Sequence, residues 1–432
     1  MEAAVGVVGG GPAGAALAIE LARLGVPVLV ITSPRPRRRF EGLSDRTVAL
    51  LQRQGFAHAC ATLGEAGERQ AHWNGVASRH NREYLVERSA FDRALCDDLR
   101  AQGITVLTSE VRSLQWQQNH WHITCGAQVV RVGFVVEARG RAAPAGQTRL
   151  RGPASLAVAR FYHGPTTTDA TAVIPFADGW AWLGRAQDGR RMVQFTVDAD
   201  SVPGAGHQAL TSLHQRLCAD VPEVAEWVPD GVQADGPAVA RACDTYLRDD
   251  LAGAAFLRVG DAACGYDPLS GQGVFLALAG ALSAAAVVRT CVERPQDGAL
   301  ARQFYSDRLL GAFAEKTALG VAFYQQEQRW ADRPFWQRRR EVLPVPVPTV
   351  AGLQRVRRPV LADGWITEQE VLLTPRHPLG VWRVEDVPVP ALLDHVRQSG
   401  ASLGDYAARH QLALPQVERA ALWLQQVGAL AS

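Results

Sequence analysis

Two glycine-rich segments contain the residue types that can bind a phosphorylated cofactor. Near the N-terminus, a β-branched run leads into GGGPAG at residues 9–14, which has the spacing G-x-G-x-x-G. In such a turn the first glycine allows the tight bend, the second lets the backbone approach a pyrophosphate, and the third lets the next helix pack on the sheet. The predicted dinucleotide-binding residues are Gly9, Gly11, Pro12, Ala13 and Gly14. The alternative is a tight turn without a ligand.

The second segment begins with Gly260 and Asp261 and ends in DPLSGQG at residues 267–273. A predicted strand delivers Asp261, whose carboxylate can accept hydrogen bonds from polyol hydroxyls. The glycines open a long helix, predicted over residues 274–288, whose N-terminal N–H groups favour an anion or a carbonyl oxygen. The residues predicted to surround the reacting group are Pro268, Gly271, Gln272 and Gly273.

A βαβ unit must position the first segment. Residues 27–31 are predicted to form the second parallel strand, and an acidic residue is expected at its end to hold ribose hydroxyls. Thr32 and Ser33 occupy that place, so we expect a weaker ribose contact. Residues 33–39, rich in Pro and Arg, are predicted to form an exposed loop, with an anion site as the alternative.

Arg88 is the next candidate ligand of a nucleotide, with an ordinary surface arginine as the alternative. It ends a predicted strand and precedes a helix for which Ser89 is the predicted N-cap and Asp92 the capping-box acid. Ser44 is predicted to cap an earlier helix over residues 47–54. A buried strand at residues 129–136 is predicted to return to the nucleotide-binding sheet.

An antiparallel sheet is predicted over residues 153–238, where short strands alternate apolar and polar residues. Trp180 and Trp182 are candidates for a substrate pocket, although aromatic residues at this spacing also suit an ordinary core. His72, Trp73 and His163 are further candidates, and His80 is another histidine considered as an acid or base. The sequence assigns no catalytic acid or base.

Three motifs together resemble FAD-dependent monooxygenases of the p-hydroxybenzoate hydroxylase type. They are the G-x-G-x-x-G turn, the EARGR sequence at residues 137–141, and GDAA followed by DPLSGQG. The resemblance covers about residues 1–330 and implies a Rossmann-like α/β FAD-binding domain with an inserted antiparallel sheet. It implies that reduced FAD and oxygen form a C4a-hydroperoxide, which hydroxylates an electron-rich aromatic ring.

The resemblance also implies roles for individual residues. Gly9, Gly11 and Gly14 would hold the diphosphate, Arg88 would contact the nucleotide, and Asp261 the ribityl chain. Pro268 and the glycines of residues 271–273 would border the isoalloxazine ring. Only one G-x-G-x-x-G is present, so NAD(P)H would bind transiently, or a partner reductase would supply reduced flavin.

Flavin-dependent tryptophan halogenases are close relatives of this family and use a catalytic lysine in the first third of the chain. The only lysine here is Lys316, and the segment around Trp180 and Trp182 lacks the Ile-Pro of the halogenase motif. Hydroxylation is therefore favoured over halogenation. The general appearance of the chain resembles a branch that hydroxylates tryptophan in a partner protein during maturation of quinone-cofactor amine dehydrogenases.

The C-terminal part is predicted to be a separate, mostly helical module. The predicted organisation is an FAD domain at residues 1–152 and 239–330, the inserted sheet, a linker at 331–360 and a winged-helix-like domain at 361–432. Three helices are expected at residues 390–398, 403–410 and 415–427. Because this tail has no basic cluster, docking of a polypeptide is favoured over nucleic-acid binding, with a cap or a dimer contact as the alternative.

Composition narrows the remaining choices. The 45 Lys and Arg residues nearly balance 43 Asp and Glu, which gives no bulk charge for nucleic acid or a membrane surface. No signal sequence, membrane-spanning stretch or C-x-x-C pair is evident, so a cytoplasmic protein with reduced thiols and no metal is expected. A small-molecule aromatic hydroxylase, a flavin reductase of isoprenoid double bonds and a non-catalytic flavoprotein maturation partner stay as alternatives.

Overall fold

The computed structural model of the chain describes residues 2–33, 38–144, 146–204, 206–398 and 401–430. The chain divides into two compact units, Met1–Ala285 with Phe313–Pro344, and Ala286–Ala312 with Val345–Ser432. Residues 34–37 of the predicted Pro- and Arg-rich loop, and the side chain of His80, lie outside the described part.

The first unit contains a mixed sheet with a parallel centre. In spatial order its parallel strands are Phe256–Arg258, Gln128–Glu137, Glu2–Val8, Val28–Thr32 and Thr105–Thr108. Their carboxyl ends therefore lie at one edge, which brings the segments after Val8 and after Arg258 together. The predicted βαβ unit is confirmed, as is the return of the strand at residues 129–136 to this sheet.

An antiparallel extension continues this sheet. Val111–Gln117 pairs with His120–Cys125, which pairs with Gln128–Glu137, and Ala252–Gly253 pairs with Phe256–Arg258. Between residues 105 and 117 the chain forms two strands. The first of them, Thr105–Thr108, joins the parallel part and pairs with Val28–Thr32.

A nine-stranded, mainly antiparallel sheet forms the second layer of this unit. Its strands are Gln233–Ala234, Ser155–His163, Arg190–Asp198, Gly179–Arg185, Ala170–Phe176, Gly67–Trp73, Val76–Glu87 and Phe40–Leu43, with Val239–Ala242 beside Ser155–His163. The predicted inserted sheet is present, but strands from residues 40–87 extend it beyond 153–238. They join through the parallel pairing of Gly67–Trp73 with Ala170–Phe176, a long-range contact that local alternation does not encode.

A small sheet completes the strands of the first unit and consists of Thr148–Arg151, Tyr246–Arg248 and Cys264–Gly265. The α-helices before the C-terminal part are Pro12–Arg23, Asp45–Gln54, Ala57–Ala61, Arg88–Ala101, His207–Asp220, Gly273–Glu293, Gly298–Gln326 and Pro334–Gln337.

Two predicted helix caps have different outcomes. Ser44 caps Asp45–Gln54 as predicted, because its hydroxyl accepts a hydrogen bond from the N–H of Thr47. The prediction of Ser89 as a cap was wrong: the helix begins one residue earlier, at Arg88, and the carboxylate of Glu87 accepts from the N–H of Ser89.

Gly273–Glu293 is the one helix among the described residues that is long and apolar enough to cross a membrane. Half of the apolar stretch of this helix is buried inside the structure. Gly273, Val274 and Ala277 also line an internal cavity, so the helix has the environment of a core element.

The second unit combines strands and helices. Gln354–Ala362, Trp365–Thr374 and His377–Val381 form an antiparallel sheet, and Arg383–Val384 pairs with Val387–Pro388. The three predicted helices are present as Val389–Val396, Leu403–His410 and Leu414–Gln426. The predicted linker at 331–360 contains the helix Pro334–Gln337 and the start of the strand at Gln354, so it is not a continuous extended connection.

Candidate functional site

The three motif glycines of the N-terminal turn are present for different structural reasons. Gly9 has φ 121°, and a Cβ there would lie 2.3 Å from the carbonyl oxygen of Ala138. A Cβ on Gly14 would lie 1.9 Å from the carbonyl oxygen of Gly9. A Cβ on Gly11 would meet no atom within 4 Å. The packing of the chain itself therefore requires Gly9 and Gly14, whereas Gly11 leaves the backbone open towards a ligand.

A cavity of about 1220 Å³ connects this turn with the second glycine-rich segment. Eleven of the predicted cofactor-binding residues line it: Gly9, Gly11, Pro12, Ala13, Thr32, Ser33, Arg88, Asp261, Pro268, Gly271 and Gly273. All its lining residues belong to the first unit. The parallel strands thus place two segments that are 250 residues apart in sequence around one cavity.

Other predicted site residues are not in the described lining of the cavity. They are Gly14 and Gly260 of the cofactor-binding set, Gln272 of the set predicted around the reacting group, and His72, Trp73 and His163 of the substrate set. Trp73 instead donates its indole N–H to the carbonyl oxygen of Phe323 at 3.0 Å and packs against Trp336. His163 is exposed at a strand end. Trp180 and Trp182 do line the cavity.

Arg88 lines the cavity, but its charge is compensated by the protein. The guanidinium donates to Glu41 at 2.9 Å and to Asp92 at 2.8 and 3.0 Å. Burial opposes the charge, but the two carboxylates outweigh it and raise the pKa of Arg88 above its ordinary value. Arg88 therefore fixes the start of its helix beside the turn, as well as lining the cavity.

The end of the cavity near Thr32 contains carboxylates that the sequence analysis missed. Thr32 and Ser33 are joined there by Asp97 from the helix Arg88–Ala101 and by Glu110 after the neighbouring strand. Asp97 lies 2.8 Å from Arg100. The acidic residue expected on the second strand is absent, yet acidic groups reach the same region from other elements.

The other end of the cavity contains a charged pair from the antiparallel sheet. Arg69 lies 3.1 Å from Glu83, which is almost completely buried and accepts a hydrogen bond from Thr171 at 2.8 Å. A Cβ on Gly271 would lie 3.9 Å from Nη2 of Arg69. No sequence motif marks this pair, because the sheet pairing that brings it to the cavity is long-range.

A buried hydrogen-bonded chain ends at the same region. The indole N–H of Trp180 donates to the hydroxyl of Tyr324 at 3.1 Å, and this hydroxyl donates to Asp267 at 3.0 and 3.2 Å. Asp267 lines the cavity and directly precedes Pro268. Burial raises the pKa of Asp267 above its ordinary value, against the hydrogen bonds and the positive charges of Arg339 and Arg141.

These features fit FAD. Gly11 leaves open space at the N-terminus of Pro12–Arg23, where N–H groups suit a diphosphate. At the far end, a Cβ on Gly273 would meet no atom within 4 Å at the N-terminus of a second helix. The Oε1 of Gln272 beside it is buried and has no hydrogen-bond partner among the described residues. The cavity between them is large enough for a dinucleotide with an aromatic substrate beside its ring.

Comparison with known proteins adds independent evidence. Residues 2–142 match the family model described as an FAD binding domain. The solved structure of the peptidyl tryptophan dihydroxylase QhpG, essential for tryptophylquinone cofactor biogenesis, is 36% identical and superposes with a TM-score of 0.86. That alignment covers 99% of this chain and 100% of QhpG.

Two curated relatives are more distant. Tryptophan 2-halogenase of Chondromyces crocatus is 25% identical over 76% of this chain and 69% of its own length. The FAD-dependent oxidoreductase LodB of Marinomonas mediterranea is 25% identical over 77% of this chain and 95% of its own length.

Proposed function

The chain belongs to the family of FAD-dependent monooxygenases that includes QhpG, and from this membership we propose that it hydroxylates a tryptophan side chain within a partner polypeptide. The observation that carries the proposal is the likeness to a peptidyl tryptophan dihydroxylase over the whole chain, at 36% identity. The hydroxylated residue would be a precursor of a quinone cofactor.

When bound, reduced FAD activates dioxygen so that one oxygen atom can pass to an electron-rich ring. The protein would position the cofactor and provide the electrostatic environment of the flavin ring. The turn at Gly11 would hold the diphosphate, and Thr32 and Ser33, with nearby carboxylates, would hold the adenosine end. The N–H groups at Gly271–Gly273 would stabilise negative charge beside the flavin ring, since a helix begins there.

The wall facing this end is suited to an aromatic substrate. Trp180 is 1% exposed, and Trp182 and Val173 line the cavity beside it. Because Trp180 uses its indole N–H for Tyr324, it contributes an apolar ring surface towards the substrate. An apolar wall also excludes water, in whose presence the activated oxygen would be lost as hydrogen peroxide.

Hydroxylation is favoured over halogenation, although a tryptophan halogenase is among the relatives. Lys316, the only lysine, lies on Gly298–Gln326, is paired with Glu315 at 2.7 Å, and is not in the described lining of the cavity. No lysine is therefore available there to direct a halogenating species.

We propose that NAD(P)H or a flavin reductase supplies the electrons that reduce the flavin. We further propose that the protein is cytoplasmic and that its C-terminal unit helps to bind the polypeptide substrate.

Mass spectrometry of the reaction products tests this proposal. The purified protein receives FAD, a flavin reductase with NADH, oxygen and chloride, together with free tryptophan or an unfolded tryptophan-containing polypeptide. We expect oxygen atoms on the polypeptide and none on free tryptophan. Oxygen on the free amino acid alone would indicate a small-molecule hydroxylase, and chlorine on either would indicate a halogenase. Binding of FAD with no product on any substrate would support a non-catalytic maturation partner.

A further inference from the structure

The chain from Trp180 through Tyr324 to Asp267 has a fixed direction. A tyrosine hydroxyl has one proton, and the hydroxyl of Tyr324 accepts the N–H of Trp180, so its own proton points to Asp267. Tyr324 is 2% exposed and packs edge-on against Phe335 and Trp336. The carboxylate of Asp267 is thus held as an acceptor by a rigid aromatic cluster.

The two oxygens of this carboxylate are not equally occupied. A carboxylate has about four acceptor positions. Oδ1 accepts the N–H of Leu269 at 2.9 Å and shares the hydroxyl of Tyr324, whereas Oδ2 accepts only from Tyr324 among the described residues. Asp267 lines the cavity, so Oδ2 retains capacity for a donor that enters from there.

The surroundings of this acceptor select the kind of donor. The apolar residues Val173, Trp182 and Met192 line the same cavity, and the positive charges of Arg141 and Arg339 favour the ionised form of Asp267, which only accepts hydrogen bonds. An aromatic acid would place its own carboxylate near that of Asp267 and be repelled. An indole fits better, because it is a flat apolar ring whose single polar group is an N–H donor.

We infer that Asp267 accepts a hydrogen bond from the indole N–H of the tryptophan substrate and so fixes the ring relative to the flavin. This inference rests on the proposed function. Asp267 is then a substrate-binding residue, and Tyr324 and Trp180 are positioning residues that act through it. The same contact gives specificity for indole over rings of equal size that lack an N–H group.

Equilibrium binding tests the inference without turnover. The oxidised, FAD-loaded enzyme is titrated with the tryptophan-containing polypeptide of the product assay and with the same polypeptide carrying a benzothiophene analogue in place of tryptophan, which has nearly the same shape but no N–H. The change in flavin absorbance reports binding. Wild type should bind the indole about ten- to a hundredfold more tightly, the range for one hydrogen bond to a charged group. Asp267→Asn, which replaces one acceptor oxygen by an NH₂ donor and leaves only an uncharged acceptor, should lower this preference at least severalfold.

Tyr324→Phe provides a second variant in case Asp267→Asn does not fold. It keeps the ring packing but frees the carboxylate, so the preference for indole should fall severalfold while FAD binding stays unchanged. Equal binding of both compounds by wild type, or an undiminished preference in both variants, would overturn the role of Asp267 alone. Binding of neither compound by wild type would remove the tryptophan substrate, and the proposed function with it.

Discussion

Arg69 and Glu83 form an ion pair, 3.1 Å between Nη1 and Oε1, on neighbouring strands at the wall of the cavity beside Gly271. The side chain of Glu83 is 8% exposed and that of Arg69 is 27% exposed. The pair is therefore partly desolvated, and its carboxylate also holds Thr171 on a third strand. It fastens the strands from residues 67–87 to the rest of the antiparallel sheet.

Glu83→Gln should lower the free energy of unfolding by about 1–2 kcal/mol. This lies between the loss for a surface pair and that for a fully buried pair, because Arg69 retains contact with water. Denaturant titration of the FAD-free protein measures it. Glu68→Gln is the matched control, since Glu68 precedes Arg69 on the same strand and is exposed. Equal small losses in the two variants would contradict a structural role for the pair.

Gly11→Ala should weaken FAD binding at least tenfold and change the stability of the FAD-free protein by at most about 1 kcal/mol. The backbone of Gly11 has φ −77°, which alanine adopts, and no protein atom would touch the new methyl group. The methyl group would instead occupy the space proposed for the diphosphate. Fluorescence titration with FAD measures the affinity.

Gly14→Ala is the companion variant. Its methyl group would overlap the carbonyl oxygen of Gly9 at 1.9 Å, so the turn itself must shift. We expect this variant to lose several kcal/mol of stability even without FAD, as for overpacking against a fixed backbone. If Gly11→Ala left FAD affinity unchanged, the turn would be structural only.

Sequence patterns predicted the strands and helices that are determined by residues close together in the sequence. The first strand with its glycine turn, the strand at residues 27–31 and the three C-terminal helices were all recognisable, because periodicity and capping are encoded within about fifteen residues. The fold class and the FAD family were correct for the same reason. The sequence motifs lie at strand ends, and the parallel order of the strands brings them to one cavity.

The sequence could not predict the site residues that long-range strand pairing or a distant helix brings to the cavity. Arg69, Glu83 and Tyr324 reach the cavity region through sheet pairing or from a distant helix, and no motif marks them. The histidines were candidates only by residue type, and the structure places His72 and His163 outside the described lining. Ser89 was misjudged as a cap because Glu87, at the end of the strand, accepts its N–H instead.

Arg88→Met should lower the free energy of unfolding by about 3 kcal/mol or more. The side chain is 6% exposed, and its loss would remove the cation that binds both Glu41 and Asp92, although Glu41 keeps its ion pair with Arg39. Arg88→Lys should recover part of the loss, because lysine keeps the charge but lacks the fork that binds two carboxylates. Thermal and denaturant unfolding measure both variants. Arg112→Met, at an exposed strand position, should have almost no effect.

The buried His214 is expected to make the free energy of unfolding depend on pH. It is 0% exposed, lies 3.0 Å from the carbonyl oxygen of Val193 through Nε2, and packs against Phe195 and Tyr162. Burial lowers the pKa of His214 from its ordinary value of 6.5 to about 4. The unfolded chain therefore takes up a proton at this residue at a higher pH than the folded chain does.

The sign of the effect follows from that difference. The contribution of His214 is complete above pH 6.5, is lost progressively as the pH falls, and levels off near pH 4, where the folded form also binds the proton. The total loss is about 3 kcal/mol. His214→Gln removes the titrating group, so the stability gap between wild type and this variant should shrink by that amount between pH 7 and pH 4. His207→Gln, on an exposed position of the same helix, should show a constant gap. A constant gap for His214→Gln as well would mean that the imidazole is protonated inside the fold or reaches water.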